Sequence, residues 1–174
     1  RGEFEAKEPL RTNINHSKKG NLDLFHNLPD FLGVGEFLKD FENEKYFEKE
    51  EVCKKGRYFQ ELKRIPAGKN YLALTEKEGC EDPKFEYGTK FWNFLLKLHP
   101  ELPSWTIAAS PGPWVGPFHW DNRRLRTPEI AAIQTFPKDY RFTGNRRSKQ
   151  KQIGNAVPPL LAKAMLDFLT SSIR

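Results

Sequence analysis

The sequence predicts a mixed α+β fold with a helical C-terminal end, and three observations lead to this prediction. The segment SWTIAA (104–109) is rich in β-branched and aromatic residues, as strands are. The stretch SPGPWVGPFHW (110–120) holds prolines and glycines that exclude regular structure, so the middle is expected to be irregular and rich in aromatic residues. Two later segments carry helix start signals and apolar residues at helical spacing.

The first half of the chain mixes weaker helix and strand patterns. Residues 1–20 are polar and are expected to form a loose lead-in, whereas 29–47 place aromatic and aliphatic residues on one helical face. Residues 57–75 predict short extended pieces around a turn at Pro66-Ala67-Gly68. The densely apolar KFWNFLLKL (90–98) predicts a short buried helix.

Two helices are predicted near the C-terminus. In RTPEIAAIQTF, Thr127 suits the N-cap, Pro128 the first helical position and Glu129 the positive end of the helix. The last helix is expected from about Val157 to Ser171. Its apolar stripe consists of Val157, Leu160, Leu161, Ala164 and Phe168.

Charge is distributed unevenly along the 174 residues. The net charge is +6, and 13% aromatic residues argue against a disordered chain. Residues 1–100 are balanced, while 123–151 contain nine Lys or Arg and two acidic residues. Such a block attracts a polyanion, nucleic acid first, although a solvated basic face remains the alternative.

Composition also excludes several classes of protein. The two cysteines, Cys53 and Cys80, do not suggest a disulfide framework, so a reducing cytoplasm is expected. No apolar run approaches the roughly 20 residues that span a bilayer, and no membrane association is expected. His119 has no metal-ligand spacing to another His or Cys, so no metal is expected.

Three blocks carry the pattern of a known family. RRLRTPEIAAIQTFPKDYRF (123–142), followed by QIGNAVPPLLAKAM (152–165), resembles the last two conserved motifs of cytosine-5 DNA methyltransferases. PSWTIAASPGP (103–113), with His119 and the arginines after it, resembles the end of that family's target recognition domain. The match covers roughly residues 100–168 in the family's order, while 57–100 fits only loosely.

The resemblance implies a reaction whose catalytic parts this sequence does not contain. Members of the family flip a cytosine out of duplex DNA, attack its C6 with a cysteine thiolate, and methylate C5 from S-adenosylmethionine. Neither Cys53 nor Cys80 lies in a Pro-Cys-Gln context, no Glu-Asn-Val occurs, and Asp23-Leu24-Phe25 lacks the glycine that should follow. No catalytic residue is therefore assigned. The resemblance implies the C-terminal part of such an enzyme, as an excised domain or a small subunit, inactive alone.

With the resemblance, the expected fold class is α+β. It comprises a small irregular β-rich recognition domain with helices, ending in a C-terminal helix that would pack on a separate catalytic domain. Three divisions are predicted: a lead-in and helical segment at 1–56, the target recognition domain at 57–122, and the C-terminal motifs with the final helix at 123–174.

The predicted DNA-binding residues combine threonine, aromatic rings and arginines, which suit phosphate and base contacts. They are Thr106, Trp114, His119, Arg123, Arg124, Arg126, Arg146 and Arg147. Each has a structural alternative. Arg123, the first arginine, more readily braces the domain through buried hydrogen bonds. The loop at 144–151 is otherwise mobile and solvated, and Trp114 otherwise pins a small hydrophobic core.

The predicted cofactor-binding residues are Gly154, Asn155, Ala156 and Val157, placed by the resemblance against S-adenosylmethionine at the start of the last helix. The alternative makes Asn155 an N-cap and Gly154 a turn residue. This chain contributes one wall of the pocket, so little cofactor affinity is expected from it alone.

Partners and alternative functions follow from the same features. Duplex DNA and the catalytic half of the enzyme are the expected partners, and the apolar final helix also predicts partner binding or a homodimer. A restriction-modification system is the expected setting. The rival hypothesis is a stand-alone nucleic-acid-binding module, and a third is RNA as the substrate.

Overall fold

The computed structural model describes residues 32–51, 53–54 and 56–171, and its regular elements are helical. The α-helices are α1 (Val34–Leu38), α2 (Phe59–Arg64), α3 (Thr127–Ile133), α4 (Arg146–Asn155) and α5 (Pro159–Ser171). Short 3-10 helices lie at Lys39–Phe41, Glu44–Tyr46, Lys49–Glu51, Tyr71–Leu74 and Glu76–Glu78. The predicted lead-in and the Asp23-Leu24-Phe25 segment fall outside the described residues. No helix in the described ranges is long and apolar enough to cross a bilayer.

The prediction of a β-rich recognition domain is wrong. Within the described residues there is no β-strand, and backbone pairing is limited to isolated bridges at Phe94–Val115, Lys97–Phe118 and Phe118–Arg124. The segment 104–109 has no regular structure, although its Ile107 is buried. Propensity measures how well a side chain fits a half-buried pleated surface, and here burial occurs without a neighbouring strand to complete a ladder.

Two further elements differ from the prediction. Residues 57–75 are helical at α2 and at Tyr71–Leu74, but the predicted turn is present: the Lys69 N–H donates to the Pro66 carbonyl at 3.2 Å. Gly68 has φ +78°, which explains a glycine there. The apolar segment 90–98 is not helical, since its backbone is committed to long-range hydrogen bonds and Leu95 has a φ of +52°. Only residues 95–98 of it are buried, whereas Phe91 and Trp92 are exposed.

The predictions near the C-terminus agree better with the structure. Helix α3 begins at Thr127 itself, with Arg126 as the N-cap residue, and the Glu129 carboxylate accepts from the Arg126 N–H at 2.7 Å. Helix α4 replaces the loop expected at 144–151. Its N-cap is Asn145, whose side chain accepts from the Ser148 N–H at 2.9 Å, and asparagine before the helix is the sequence signal for this cap.

Residues 32–158 form one compact unit, and helix α5 belongs to another. The compact unit contains two hydrophobic cores. The first consists of Val34, Leu38, Leu98, Ile107, Leu125, Ile130, Ala131 and Ile153. The second consists of Cys53, Leu62, Ile65, Tyr71, Leu74, Leu95 and Phe118, with aromatic side chains around it.

The first core joins the start of the compact unit to its C-terminal helices. Helix α1 packs on α3, and α3 packs on α4. The N–H groups of Val34 and Gly35 donate to the carbonyls of Leu102 and Pro100, both at 2.9 Å. Residues 32–51 therefore hold the segment at 100–110 against α3 and α4.

Helix α5 is amphipathic. Leu160, Leu161, Met165 and Leu166 are more than half exposed. It begins at Pro159 rather than Val157, with Pro159 in the first turn, where a missing N–H costs nothing.

Candidate nucleic-acid interface

Arg123 and Arg126 are held by buried carboxylates. Arg123 makes a two-pronged contact with Glu129, Nη1 to Oε2 at 2.8 Å and Nη2 to Oε1 at 2.7 Å, and Glu129 is fully buried. Arg126 pairs in the same way with Glu51 and also donates to the carbonyls of Phe41 and Asn43. These contacts take up the guanidinium donors, so they favour the bracing role considered for these arginines.

Burial and ion pairing shift the pKa values of Glu51 and Arg126 in opposite directions. Burial disfavours the charged carboxylate, but hydrogen bonds from Arg126 and from the Glu48 N–H outweigh it and lower the pKa of Glu51. The hydrogen bond that Arg126 donates to Glu51 raises the pKa of Arg126 despite burial. Both groups are therefore charged at neutral pH.

The two arginines at the start of α4 differ from each other. Arg146 is half-buried, donates to the Leu125 carbonyl at 2.6 Å and pairs with Glu48. Arg147 is exposed and forms no hydrogen bond or ion pair with the described part of the chain. Of the pair, Arg147 is the one whose guanidinium is available to a ligand.

An open cleft of about 580 Å³ lies at this end of α4. Arg124, Arg146 and Arg147 line it together with Asn145 and Gln150, and one acidic residue, Glu50, is also present. The Arg124 guanidinium donates to the Pro113 carbonyl, which fixes it at the edge of the 110–120 loop. The cleft thus brings three predicted arginines together with a helix N-terminus, where free N–H groups also favour anions.

Trp114 and His119 are integrated into the fold. Trp114 is half-buried, lies edge-on to Tyr58 with ring centroids 5.8 Å apart, and stacks on Phe118 at 6.0 Å. His119 is fully buried, and its Nδ1 accepts from the Asp121 N–H at 3.1 Å. Burial, with Arg123 and Arg126 nearby, lowers the pKa of His119 to about 3, so the ring is neutral.

Thr106 is exposed and lines a second open cleft of about 520 Å³. The same cleft is lined by Ile133 at the end of α3 and its C-cap Gln134, and by Gly154 of α4 and its C-cap Ala156. The Gln134 side chain donates to the Ala156 carbonyl at 2.7 Å, which ties α3 to the end of α4. The structure therefore brings Thr106 close to two of the four predicted cofactor-binding residues.

The segment 154–157 occupies a different position from the one expected. Gly154 and Asn155 are the last residues of α4, and Ala156 is its C-cap, so the predicted N-cap role for Asn155 is wrong. A Cβ on Gly154 would lie 2.6 Å from the Ala109 Cα, which explains the glycine by close packing of α4 on the chain. Asn155 and Val157 are exposed, and the Asn155 amide has no partner among the described residues.

Several site residues were missed from the sequence. Three glutamates hold the arginines: Glu48, Glu51 and Glu129. The first two belong to a charged segment that the sequence predicts to be exposed.

Trp92 and Trp105 form an exposed edge-to-face pair with centroids 5.5 Å apart. The only sequence signal for the pair is the aromatic character of two segments for which the sequence predicts a buried helix and a strand. Within the described residues, no cluster of His, Cys, Asp and Glu could hold a metal ion.

Comparison with known proteins identifies the family. The family model described as C-5 cytosine-specific DNA methylase matches residues 6–170, and the chain belongs to this family. No solved structure matches.

The curated relatives cover different shares of the chain. Type II methyltransferase M.SacI of Streptomyces achromogenes is 41% identical over 68% of this chain, which spans 33% of that protein. DNA (cytosine-5-)-methyltransferase M.ApeKI of Aeropyrum pernix is 33% identical over 63% of this chain and 23% of its own length. Type II methyltransferase M.AquIB of Picosynechococcus is 43% identical over 48% of this chain and 67% of its own length. The chain thus spans about a third or less of the first two relatives.

Proposed function

We propose that this chain is the DNA-recognising, C-terminal part of a cytosine-5 DNA methyltransferase of a restriction-modification system. In the complete enzyme it binds duplex DNA and forms one wall of the S-adenosylmethionine pocket. Another part of the enzyme, in the same or a separate polypeptide, supplies the nucleophilic cysteine. The cleft lined by Arg124, Arg146 and Arg147 is called the arginine cleft here, and the cleft lined by Thr106 the Thr106 cleft. The observation that carries the proposal is that both clefts lie in one compact unit.

The arginines in and next to the arginine cleft support DNA binding in two different ways. Arg123 and Arg126 brace the loop before α3 by pairing with Glu129 and Glu51. This bracing positions Arg124 at the cleft, while Arg147 stays free to contact a phosphate. Phosphate contacts fix the register of a protein on the duplex, and the base contacts then specify the sequence.

The second cleft supports a contribution to the cofactor pocket. S-adenosylmethionine, when bound, supplies the methyl group that is transferred. Gly154 and Ala156 present backbone and small side chains to the cleft, and the exposed Asn155 amide next to them offers both a donor and an acceptor. The cleft is open, so these residues fit one wall and need the remainder of the enzyme to enclose the ligand.

A divided enzyme is supported by the lengths of the relatives and by the cysteines. M.AquIB, also named a type II methyltransferase, is matched over two thirds of its length and is thus a short protein itself. Cys53 is buried, donates its S–H to the Glu51 carbonyl at 3.6 Å and lies outside any Pro-Cys-Gln context. Cys80 likewise lies outside any Pro-Cys-Gln context.

Complementation tests this proposal. The full chain is combined with the polypeptide that carries the cofactor glycines and the Pro-Cys motif, and methyl transfer from labelled S-adenosylmethionine to duplex DNA is measured. We expect activity with both parts and none with either part alone. Inactivity when both parts are folded and bound to each other contradicts the proposal and favours the stand-alone binding module. Preferential methylation of tRNA in competition with duplex DNA favours an RNA substrate instead.

A further inference from the structure

The Trp92–Trp105 pair lies beside the Thr106 cleft, and folding does not account for it. Trp92 is 55% exposed and Trp105 45%, and neither belongs to the hydrophobic cores. Their rings meet at 68°, an edge-to-face contact. Trp105 also lines the cleft together with its neighbour Thr106.

Buried polar groups fix the backbone that presents Trp92. The side chain of Asn70, which is 4% exposed, donates to the Trp92 carbonyl at 2.8 Å. The Tyr71 hydroxyl donates to the Lys90 carbonyl at 3.0 Å, and Tyr71 belongs to the second core. Phe91, between these two anchors, is 83% exposed. The side chains of Phe91 and Trp92 are thus exposed on a constrained backbone. This constraint reduces the conformational entropy that is lost when they bind a ligand.

The sequence on either side of the two tryptophans carries no basic cluster that would attract a phosphate backbone. The closest charged positions in sequence are Lys90 and Glu101, one of each sign. The attraction for phosphate resides instead in the arginine cleft, where Arg147 is exposed. Any affinity of the pair for nucleic acid must therefore come from its rings, which stack on bases with little sequence preference and little dependence on salt.

We propose that Trp92 and Trp105 form a base-contacting platform, which stacks on unpaired or unstacked bases of the DNA bound by this chain. This inference rests on the proposed function, because it requires the DNA bound at the arginine cleft to reach the tryptophan pair at the rim of the Thr106 cleft. Arg147 and the platform would then act on different parts of one ligand, the first on phosphate and the second on bases. Loss of the platform would weaken binding without changing the number of phosphate contacts.

The experiment compares binding to a duplex that carries a short bulge of unpaired bases by the full chain and by Trp92→Leu and Trp105→Leu, at several salt concentrations. Phe47→Ala is the matched control, because Phe47 is also an exposed aromatic residue (57%) but lies in another segment. We expect about tenfold weaker binding for each tryptophan variant, with the same slope of log affinity against log salt. The control is expected to bind as the unsubstituted chain does.

A second measurement needs no variant. A duplex pool with 5-iodouracil in place of thymine is irradiated with the unsubstituted chain, and cross-linked residues are identified by mass spectrometry. Cross-links at Trp92 or Trp105 are expected. Unchanged affinity in both variants, with cross-links elsewhere only, overturns the platform and leaves the proposed function intact.

Two other outcomes would also overturn the platform. If the tryptophan variants bind DNA normally but no longer associate with the catalytic half, the pair is a protein interface. If the unsubstituted chain binds no duplex even with the catalytic half present, the proposed function fails, and the platform fails with it.

Discussion

Arg126 and Glu51, 75 positions apart in the sequence, form a buried two-pronged ion pair. Arg126 Nε lies 2.5 Å from Glu51 Oε2, and Nη2 lies 3.1 Å from Oε1. The side chains are 9% and 7% exposed. The pair connects the 3-10 helix at Lys49–Glu51 to the N-cap of α3, and so couples the first described segment to the C-terminal motifs.

Removing one partner of this pair should destabilise the fold strongly. Arg126→Met leaves the Glu51 carboxylate buried without its cation, so we expect a loss of about 3–5 kcal/mol in the free energy of unfolding. Urea denaturation at pH 7 measures it. Lys39→Ala removes the cation of an exposed pair with Glu36 and should change the midpoint little. Equal midpoints for the two variants would contradict the structural role of the buried pair.

His119 should make the fold sensitive to acid. Its pKa is about 3 in the folded protein against an ordinary value of 6.5, so the unfolded chain binds the proton more readily between these values. Stability should be fully present above pH 6.5 and fall by up to about 1.4 kcal/mol per pH unit below it. Urea denaturation between pH 4 and 7 checks the slope, which His119→Gln should reduce. An unchanged slope in that variant would assign the acid sensitivity to other groups.

Lys97 should make stability rise with pH as His119 does, but on the alkaline side. It is 3% exposed, its Nζ donates to the Ile65 carbonyl at 2.5 Å, and burial lowers its pKa to about 8. The unfolded chain therefore holds more protons between about pH 8 and the ordinary lysine value near 10.5, and stability should rise across that window. Unfolding of Lys97→Met over pH 7.5–10 should show a smaller rise than the unsubstituted chain. A parallel rise in both would exclude Lys97 as the cause.

Gly154 should not tolerate a side chain. A Cβ would lie 2.6 Å from the Ala109 Cα and 2.7 Å from its nitrogen, so Gly154→Ala must push α4 away from the chain. We expect a cost of about 1–3 kcal/mol in thermal or urea unfolding. Gly112→Ala is the matched control, because its Cβ would make an ordinary contact of 3.4 Å with Val115. Similar losses in both variants would count against close packing at Gly154.

Arg147 should contact a phosphate of the DNA and contribute little to the stability of the fold. Because its guanidinium is exposed, Arg147→Ala is expected to leave the unfolding midpoint unchanged. It should weaken duplex binding uniformly across sequences and reduce the salt slope by about 1. Lys39→Ala, which removes an exposed cation far along the sequence from this cleft, is expected to leave the slope unchanged. A loss of sequence preference in Arg147→Ala would indicate base readout instead.

The sequence by itself identified the family motifs and predicted the local elements whose signals are short-range. Helix α3 with Pro128 in its first turn, the turn at Pro66–Gly68 and the final helix depend on neighbours a few residues away, and all three are present. The uneven charge and the absence of a Pro-Cys-Gln sequence are likewise properties of the chain alone.

Tertiary structure decided the rest, because the deciding partners lie far apart in the chain. Propensity at 104–109 favoured a strand, but no neighbouring segment completes a ladder, so Ile107 is buried in irregular chain. Which arginine is free and which is braced depends on glutamates up to 98 positions away, such as Glu48 beside Arg146. Desolvation and charge pairing act through space, and only the folded chain shows which side chains meet.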